Sequence, residues 1–553
     1  MPCSNAWGTK VVELINQHTK RIMEGCKERA RKAGLRFEDQ TLEYIVTNKD
    51  LLELSPKHMI PTLYDYWVNE VEVLKEKGKY ELYPNNPYET VINTRPAISF
   101  YNDNNSDWLN VMIFYHVLAH IDFFQNNMFF KHTWGEDFAE RALSDKGAIV
   151  KLRSEKGRWV DYVIEFSRGI DNLVGFHSEL TELNQSREIK TSRKLDFYFD
   201  IFLQSIQKVS LMDYLKEVDR YNETLRQYGE MTEAVFFSNV TKKYTEFEAL
   251  FDKHKKVDRQ GVRDLLEFLQ QNSAFLQMEE NRWMQSVMEI VRETSLFFQP
   301  QIRTKILNEG WASYWHERLF LSDDRIKGNE VAFARVNALV TALPRIGLNP
   351  YALGMRLFDH IEEMADKGKF SYDYQRIRSA QLRRDYDKPT RSGLDYVFRV
   401  REDFDDFMFI SNFVDQEFVD RHKLFVAGRR FNSSKRTWEH FVRSRDAGQY
   451  RQMLLNQLYH PPYIEIDKSK MEDNCLYLNH HFEGKPLIRE FIPNTMLGIE
   501  YLWGSPVKLE TSESVEKARE FRPGETRALQ DEELSHRRVL YTMKNRQLSR
   551  AVL

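Results

Sequence analysis

Apolar positions recur at three- and four-residue spacing through most of the first 367 residues, a period that predicts helices. Val11-Val-Glu-Leu-Ile15 opens the pattern, Pro61 suits the first turn of a helix through Leu63, Trp67 and Val71, and residues 9–78 read as helical. The turn-rich Tyr83-Pro-Asn-Asn-Pro-Tyr88 breaks the run. Val91 to Tyr101 has the composition of a short strand, which Pro96 weakens. After a run of capping-type residues, Asn102 to Asp107, the apolar stretch Trp108 to Phe130 predicts a long buried helix. The pattern stays helical from about 136 to 300, with charged, solvated faces around 186–196 and 241–264, and again from 303 to 367.

After residue 392 the pattern shortens. Tyr396-Val-Phe-Arg-Val400, Phe407-Met-Phe-Ile410, Tyr463-Ile-Glu-Ile466 and Leu476-Tyr-Leu-Asn-His480 are β-branched or aromatic and partly alternating, so they read as strands. Helical segments around 414–422 and 447–459 interrupt them. The expected class is α+β: a large, mainly α-helical N-terminal domain over 1–370, then a small α+β C-terminal domain over 393–512. The polar, Arg- and Tyr-rich stretch 371–392 reads as a linker. Residues 513–553, rich in Glu and Arg, read as a charged tail, helical or disordered.

Composition narrows the class of function. With 80 basic and 83 acidic side chains the net charge is -3, too small to steer the chain onto nucleic acid or an anionic membrane. The basic pairs Arg383-Arg384 and Arg429-Arg430 are short and compensated by nearby acids, so no nucleic-acid partner is expected. Cys3, Cys26 and Cys475 form no CxxC, which argues against a disulfide framework and a thiolate zinc site and fits a reducing compartment. The N-terminus has no basic region followed by an apolar one, and no window offers eighteen consecutive apolar residues; a cytoplasmic protein without a membrane span is expected. Phosphate-cradling loops, the dinucleotide fingerprint and the nucleophile elbow are all absent, so no nucleotide cofactor is expected.

Two constellations could carry chemistry. His116 and His120 are four apart, so on a helix their rings share one face, the spacing by which two imidazoles grip one ion in H-E-x-x-H zinc enzymes. Val117 stands where that motif keeps its general base. Asp122, two residues beyond His120, could orient a ligand. The second constellation is Asn308-Glu-Gly-Trp-Ala-Ser-Tyr-Trp-His316-Glu317. Glu309 and His316 are seven apart and project from one face of a helix. The stretch resembles the Glu-Gly-Trp-Ala element by which some helical zinc peptidases supply their third ligand. Gly310 would admit another backbone at close range. Together His116, His120, Glu309 and His316 are candidate ligands for a divalent metal (Zn, Fe or Mn). Glu309, His316 and Glu317 are the candidate catalytic groups, with Glu317 or Asp122 replacing the missing base. The alternative is structural: both histidines buried on an aromatic-rich helix and hydrogen-bonded to neighbours, Glu309 a helix-terminal carboxylate, and Trp311, Tyr314 and Trp315 plain core. His480-His481, adjacent on an expected strand, point to opposite faces and cannot chelate one ion there.

The order of these segments resembles the stage V sporulation protein R (SpoVR) family over most of the chain. The matching pieces are Tyr88 to Asn93, the His116/His120 segment with Asp122-Phe-Phe and Asn126-Asn127, Thr304 to Ala312, Asn349 to Gly354, Phe418 to Phe425 and Leu502 to Thr511. The resemblance implies a setting in sporulation (spore cortex formation) or stress response, often beside a PrkA-type serine kinase and a companion protein, and supplies no established reaction. Two functions therefore stand: a metal-dependent hydrolase with a zincin-like site, or a non-catalytic regulatory or scaffold partner of such a kinase.

Overall fold

A computed structural model of the chain describes residues 13–38, 40–47, 89–133, 138–175, 193–207, 209, 211–256, 264–432, 436–515 and 535–553. The helix expected from Pro61 and the break at 83–88 lie outside these residues. The chain divides into two compact units, one of residues 175–268 and the other of everything else. A mainly helical body is followed by a sheet-containing C-terminal region, as the pattern predicts.

The larger unit begins with β1 (Glu13–Leu14), α1 (Gln17–Lys32) and β2 (Thr41–Val46). The strand at β2 departs from the helix expected over this stretch; Thr41, Glu43 and Val46 are buried there. β3 (Glu89–Ile92) and β4 (Ala97–Asn102) realise the expected strand as an antiparallel pair turning through Pro96, and β4 runs parallel to β2. Next comes α2 (Asp107–Asn126), buried on every side from Asn110 to Phe124. A helix apolar all round can only sit inside a core.

α3 (Arg282–Arg303) leads into α4 (Lys305–Leu321), and α4 shares the core around α2 with α5 (Glu330–Val340), α6 (Pro350–Asp366), α7 (Gly393–Asp403) and α8 (Asp406–Phe413). Their termini are set by side chains. Asn349 accepts from the amides of Tyr351 and Ala352, with Pro350 in the first turn of α6. The start of α4 is capped from another helix: Asp406 accepts from the amides of Ile306 and Leu307 at 2.9 and 2.8 Å. Its neighbour Asp405 caps α8 and pairs with buried Arg303 at 3.0 Å. One Asp-Asp pair thus joins three helix ends.

The segments Tyr396–Val400 and Phe407–Ile410, expected as strands, lie in α7 and α8. Val397 and Val400, and Phe409, Ile410 and Phe413, fall on three- and four-residue spacing and are buried, so helical burial overrides their β propensity. The stretch 371–392 and α7 belong to the same compact unit as the helices before them, so the expected linker is not where the chain divides.

β5 (Val426–Asn432) and β6 (Thr437–Ser444) form a hairpin. The expected strands at 463–466 and 476–480 are present as β7 (Tyr463–Ile466) and β8 (Leu476–His481). With β9 (Val507–Val515), β10 (Ser535–Lys544) and β11 (Gln547–Val552) they make a five-stranded sheet in the order β11-β10-β9-β8-β7, of which only β8 and β9 run parallel. The charged tail expected over 513–553 is therefore a strand hairpin over its described C-terminal part. Val539, Tyr541 and Met543 are buried at a period of two, and Asn545 and Arg546 both take positive φ at the turn. Its charges pair across the sheet: Arg538 with Glu510 at 2.7 Å, and Arg550 with Glu513 at 2.6 Å.

The smaller unit is an aromatic helical cluster. A π-helical turn, Phe197–Ile206, puts Tyr198 and Phe202 against Phe236, Phe237 and Phe247. Glu217 holds Tyr198, Arg220 and Lys243 beside it.

Candidate metal centre

Two glycines decide how closely the site helices meet. α4 crosses α6 at Gly310 and Gly354, where a Cβ on Gly310 would run into the Gly354 backbone and one on Gly354 into the Ile306 carbonyl. The close backbone approach anticipated for Gly310 is present. The residue before it, Glu309, faces α2.

His116 and His120 on α2 meet Glu309 on α4. His120 Nε2 lies 3.1 Å from His116 Nε2, and Glu309 Oε2 lies 3.6 Å from His120 Nε2 and 3.9 Å from His116 Nε2. One ligand atom from each of the three fits within 4.8 Å of the others, and among the described residues this is the group of three or more such side chains able to hold a metal. Glu309 Oε2 is buried without a hydrogen-bond partner. An orphaned buried carboxylate oxygen is costly unless a cation meets it.

The other faces of the imidazoles are held. His120 Nδ1 meets Asn308 Oδ1 at 2.9 Å, and an amide oxygen can only accept, so His120 donates from Nδ1 and keeps the lone pair on Nε2. His116 Nδ1 meets His316 Nδ1 at 2.9 Å, and His316 Nε2 meets Asn337 Oδ1 at 2.9 Å. The ring of His116 stacks on Tyr351 and that of His120 on Phe124. Burial, reinforced by the neighbouring imidazoles His120 and His316, holds His116 well below the usual histidine range; burial likewise pulls His316 down to about 4. Both rings are thus neutral near pH 7, the form that ligates metal.

The remaining sequence candidates have other partners. His316 is not among the three converging groups; it stands behind His116. Glu317 accepts from Asn337 Nδ2 at 2.7 Å. Asp122, fully buried, accepts from Trp311 Nε1 at 2.9 Å and the Arg36 amide at 2.7 Å, with Arg401 Nε 3.5 Å away. Burial pushes its carboxyl up to about 6, with Arg401 opposing. Asp122 thus ties α2 to α4 and α7. Sequence reasoning gave no role to Asn308, although it adjoins Glu309, nor to Asn337, which no motif marks. Only the fold brings Asn337 to His316.

The model of the SpoVR-like protein family matches residues 13–460, and the chain belongs to that family. It is also similar to the "Uncharacterized protein YcgB" of Escherichia coli (strain K12), 23% identical over 499 residues, covering 84% of this chain and 86% of that protein. No solved structure matches the chain. No helix among the described residues is long and apolar enough to cross a membrane.

Proposed function

We propose that His116, His120 and Glu309 hold one divalent metal ion and that the protein is a metal-dependent hydrolase acting on an amide bond. The observation that carries this reading is the convergence of two imidazole nitrogens with a buried carboxylate oxygen that has no other partner. Two nitrogens and one oxygen, contributed by His-x-x-x-His and a glutamate from a second helix, suit zinc, iron or manganese and leave coordination positions open. A metal so placed lowers the pKa of a bound water and supplies a nucleophile near neutral pH. Val117 is buried where a peptidase keeps its base, and Asp122 and Glu317 are engaged by Trp311 and Asn337. None of these three positions therefore offers a free base, and a bound metal would have to supply the nucleophile.

The test is elemental analysis of the purified protein with thermal unfolding before and after chelation. About one equivalent of metal per chain is expected, with a lower Tm after chelator and recovery on adding zinc, iron or manganese. No metal above trace, and a Tm indifferent to both treatments, would sink the proposal. Amide hydrolysis that chelator abolishes and metal restores is the further result expected.

The missing base favours a second reading, a regulatory partner of a PrkA-type serine kinase in sporulation or stress response. Its expected signature is co-purification of such a kinase with the full chain carrying His120→Ala. Loss of that association together with the metal would count against it.

A further inference from the structure

The rings of His116 and His316 lie behind the candidate ligand atoms, in a chain of hydrogen bonds that ends at a half-buried carboxylate. From outside inward it runs Glu317 Oε2, Asn337 Nδ2 (2.7 Å), Asn337 Oδ1 to His316 Nε2 (2.9 Å), and His316 Nδ1 to His116 Nδ1 (2.9 Å). Each link allows one polarity once the first is set. A carboxylate oxygen accepts, so Asn337 must turn its amide nitrogen to Glu317 and its oxygen to His316. Facing an acceptor, His316 must carry its proton on Nε2. A neutral ring then has only a lone pair on Nδ1, so His116 must donate from its own Nδ1. His116 Nε2 is left bare, 3.1 Å from the equally bare Nε2 of His120 and 3.9 Å from the orphaned Glu309 oxygen.

We infer that Glu317 and Asn337 are positioning residues that, through His316, dictate the tautomer of His116 and so keep its Nε2 free for a metal ion. The inference deepens the metal-centre reading and rests on it for its purpose, though not for the tautomer itself. Without a cation, two lone pairs and a carboxylate oxygen face one another in a buried space. Reversing the chain would move a proton to His116 Nε2 and remove one ligand. Partners of this kind behind a ligating histidine are worth roughly 10–100-fold in metal affinity.

Two measurements test it on the full-length chain. The first is the ring 15N NMR spectrum of the metal-free protein with labelled histidine, His116 being assigned by its loss in His116→Gln. His116 protonated at Nδ1 in the wild type is expected; protonation at Nε2 would overturn the inference with no variant needing to fold. The second is zinc titration of variants. Asn337→Leu, which cannot accept from His316, is expected to bind zinc roughly 10–100-fold more weakly. The double variant Asn337→Asp with Glu317→Gln presents a fixed acceptor to His316 and an amide donor behind it, so it should recover most of that affinity. A role in packing alone predicts no such recovery. Zinc affinity within twofold of wild type in Asn337→Leu, or a double variant no better than Asn337→Leu, would overturn the inference. A wild type that takes up no metal defeats the metal-centre reading instead, and the 15N spectrum still decides the tautomer.

Discussion

The chain holds two histidine pairs, one on a helix and one on a strand, and they meet opposite fates. His116 and His120, four residues apart on α2, bring their Nε2 atoms together beside Glu309. His480 and His481, adjacent on β8, separate: His480 is buried and bonds Thr511 Oγ1 at 2.8 Å, while His481 reaches Glu465 at 2.7 Å on the exposed face. The helix repeat superposes its pair and the pleat splits the other. The pairs also differ in what is left over. At the sheet each ring has its partner and no cation is called for. At the helices an acceptor is left without a donor, which separates a site from a buried polar core.

The largest expected effect breaks the first pair and spares the second. His120→Ala and His116→Ala should abolish stoichiometric metal uptake, whereas His480→Gln should keep it; elemental analysis of the three proteins decides. Equal metal content in all of them would erase the distinction. Next in size is the helix crossing beneath the site. Gly310→Ala forces a methyl against the Gly354 backbone and should cost roughly 3 kcal/mol or more of unfolding free energy. Gly484→Ala, beside the strand pair in open space at φ 87°, should cost only about 1 kcal/mol. Denaturant melts compare the two directly.

How far the sequence carried these conclusions follows the same contrast. The i, i+4 histidines, the buried helix around them, and Gly310 as a point of close approach were legible because each depends on residues near in sequence. His480-His481 as a non-chelating pair was legible for the same reason. The polarity of the His316–Asn337–Glu317 chain was not, because Asn337 comes to His316 from the following helix and only the fold of the connection between α4 and α5 sets that meeting. Nor was the identity of α7 and α8: Tyr396–Val400 and Phe407–Ile410 are strand-like in composition, and Asp405 with core burial makes them helical. The charged residues of 535–553 hid a strand pair because Arg538 faces Glu510 opposite the buried Val539, Tyr541 and Met543, while Arg550 pairs with buried Glu513 on their own face.

Acid should expose the buried member of the strand pair. Burial, with Arg538 adding to it, pulls His480 down to about 4 in the folded chain, against an ordinary value near 6.5 when unfolded. The unfolded chain therefore takes up the proton first. Stability from this group is complete above about pH 6.5 and is lost as pH falls towards 4, by roughly 3 kcal/mol if the full shift is expressed. His480→Gln has no proton to take up. The stability difference between wild type and variant should therefore narrow or invert across this window, read from urea melts at several pH values. A difference independent of pH would show that His480 is held by Thr511 without being desolvated.

The smallest effect belongs to His481, and its smallness is informative. Its ring is partly exposed, pairs with an exposed Glu465 and stacks on Tyr463 at the sheet edge. Surface pairs of this kind contribute about 0–1 kcal/mol, and salt screens them further. His481→Ala should therefore shift the urea midpoint by an amount near the error of measurement, with no change in metal content. Were it to destabilise the chain as much as His480→Gln does at pH 7, the two faces of β8 would be equally load-carrying in the fold. The strand pair could then no longer serve as the satisfied counterpart of the helical one. A shift confined to low salt would instead assign what little His481 contributes to its contact with Glu465, and leave the contrast between the two pairs intact.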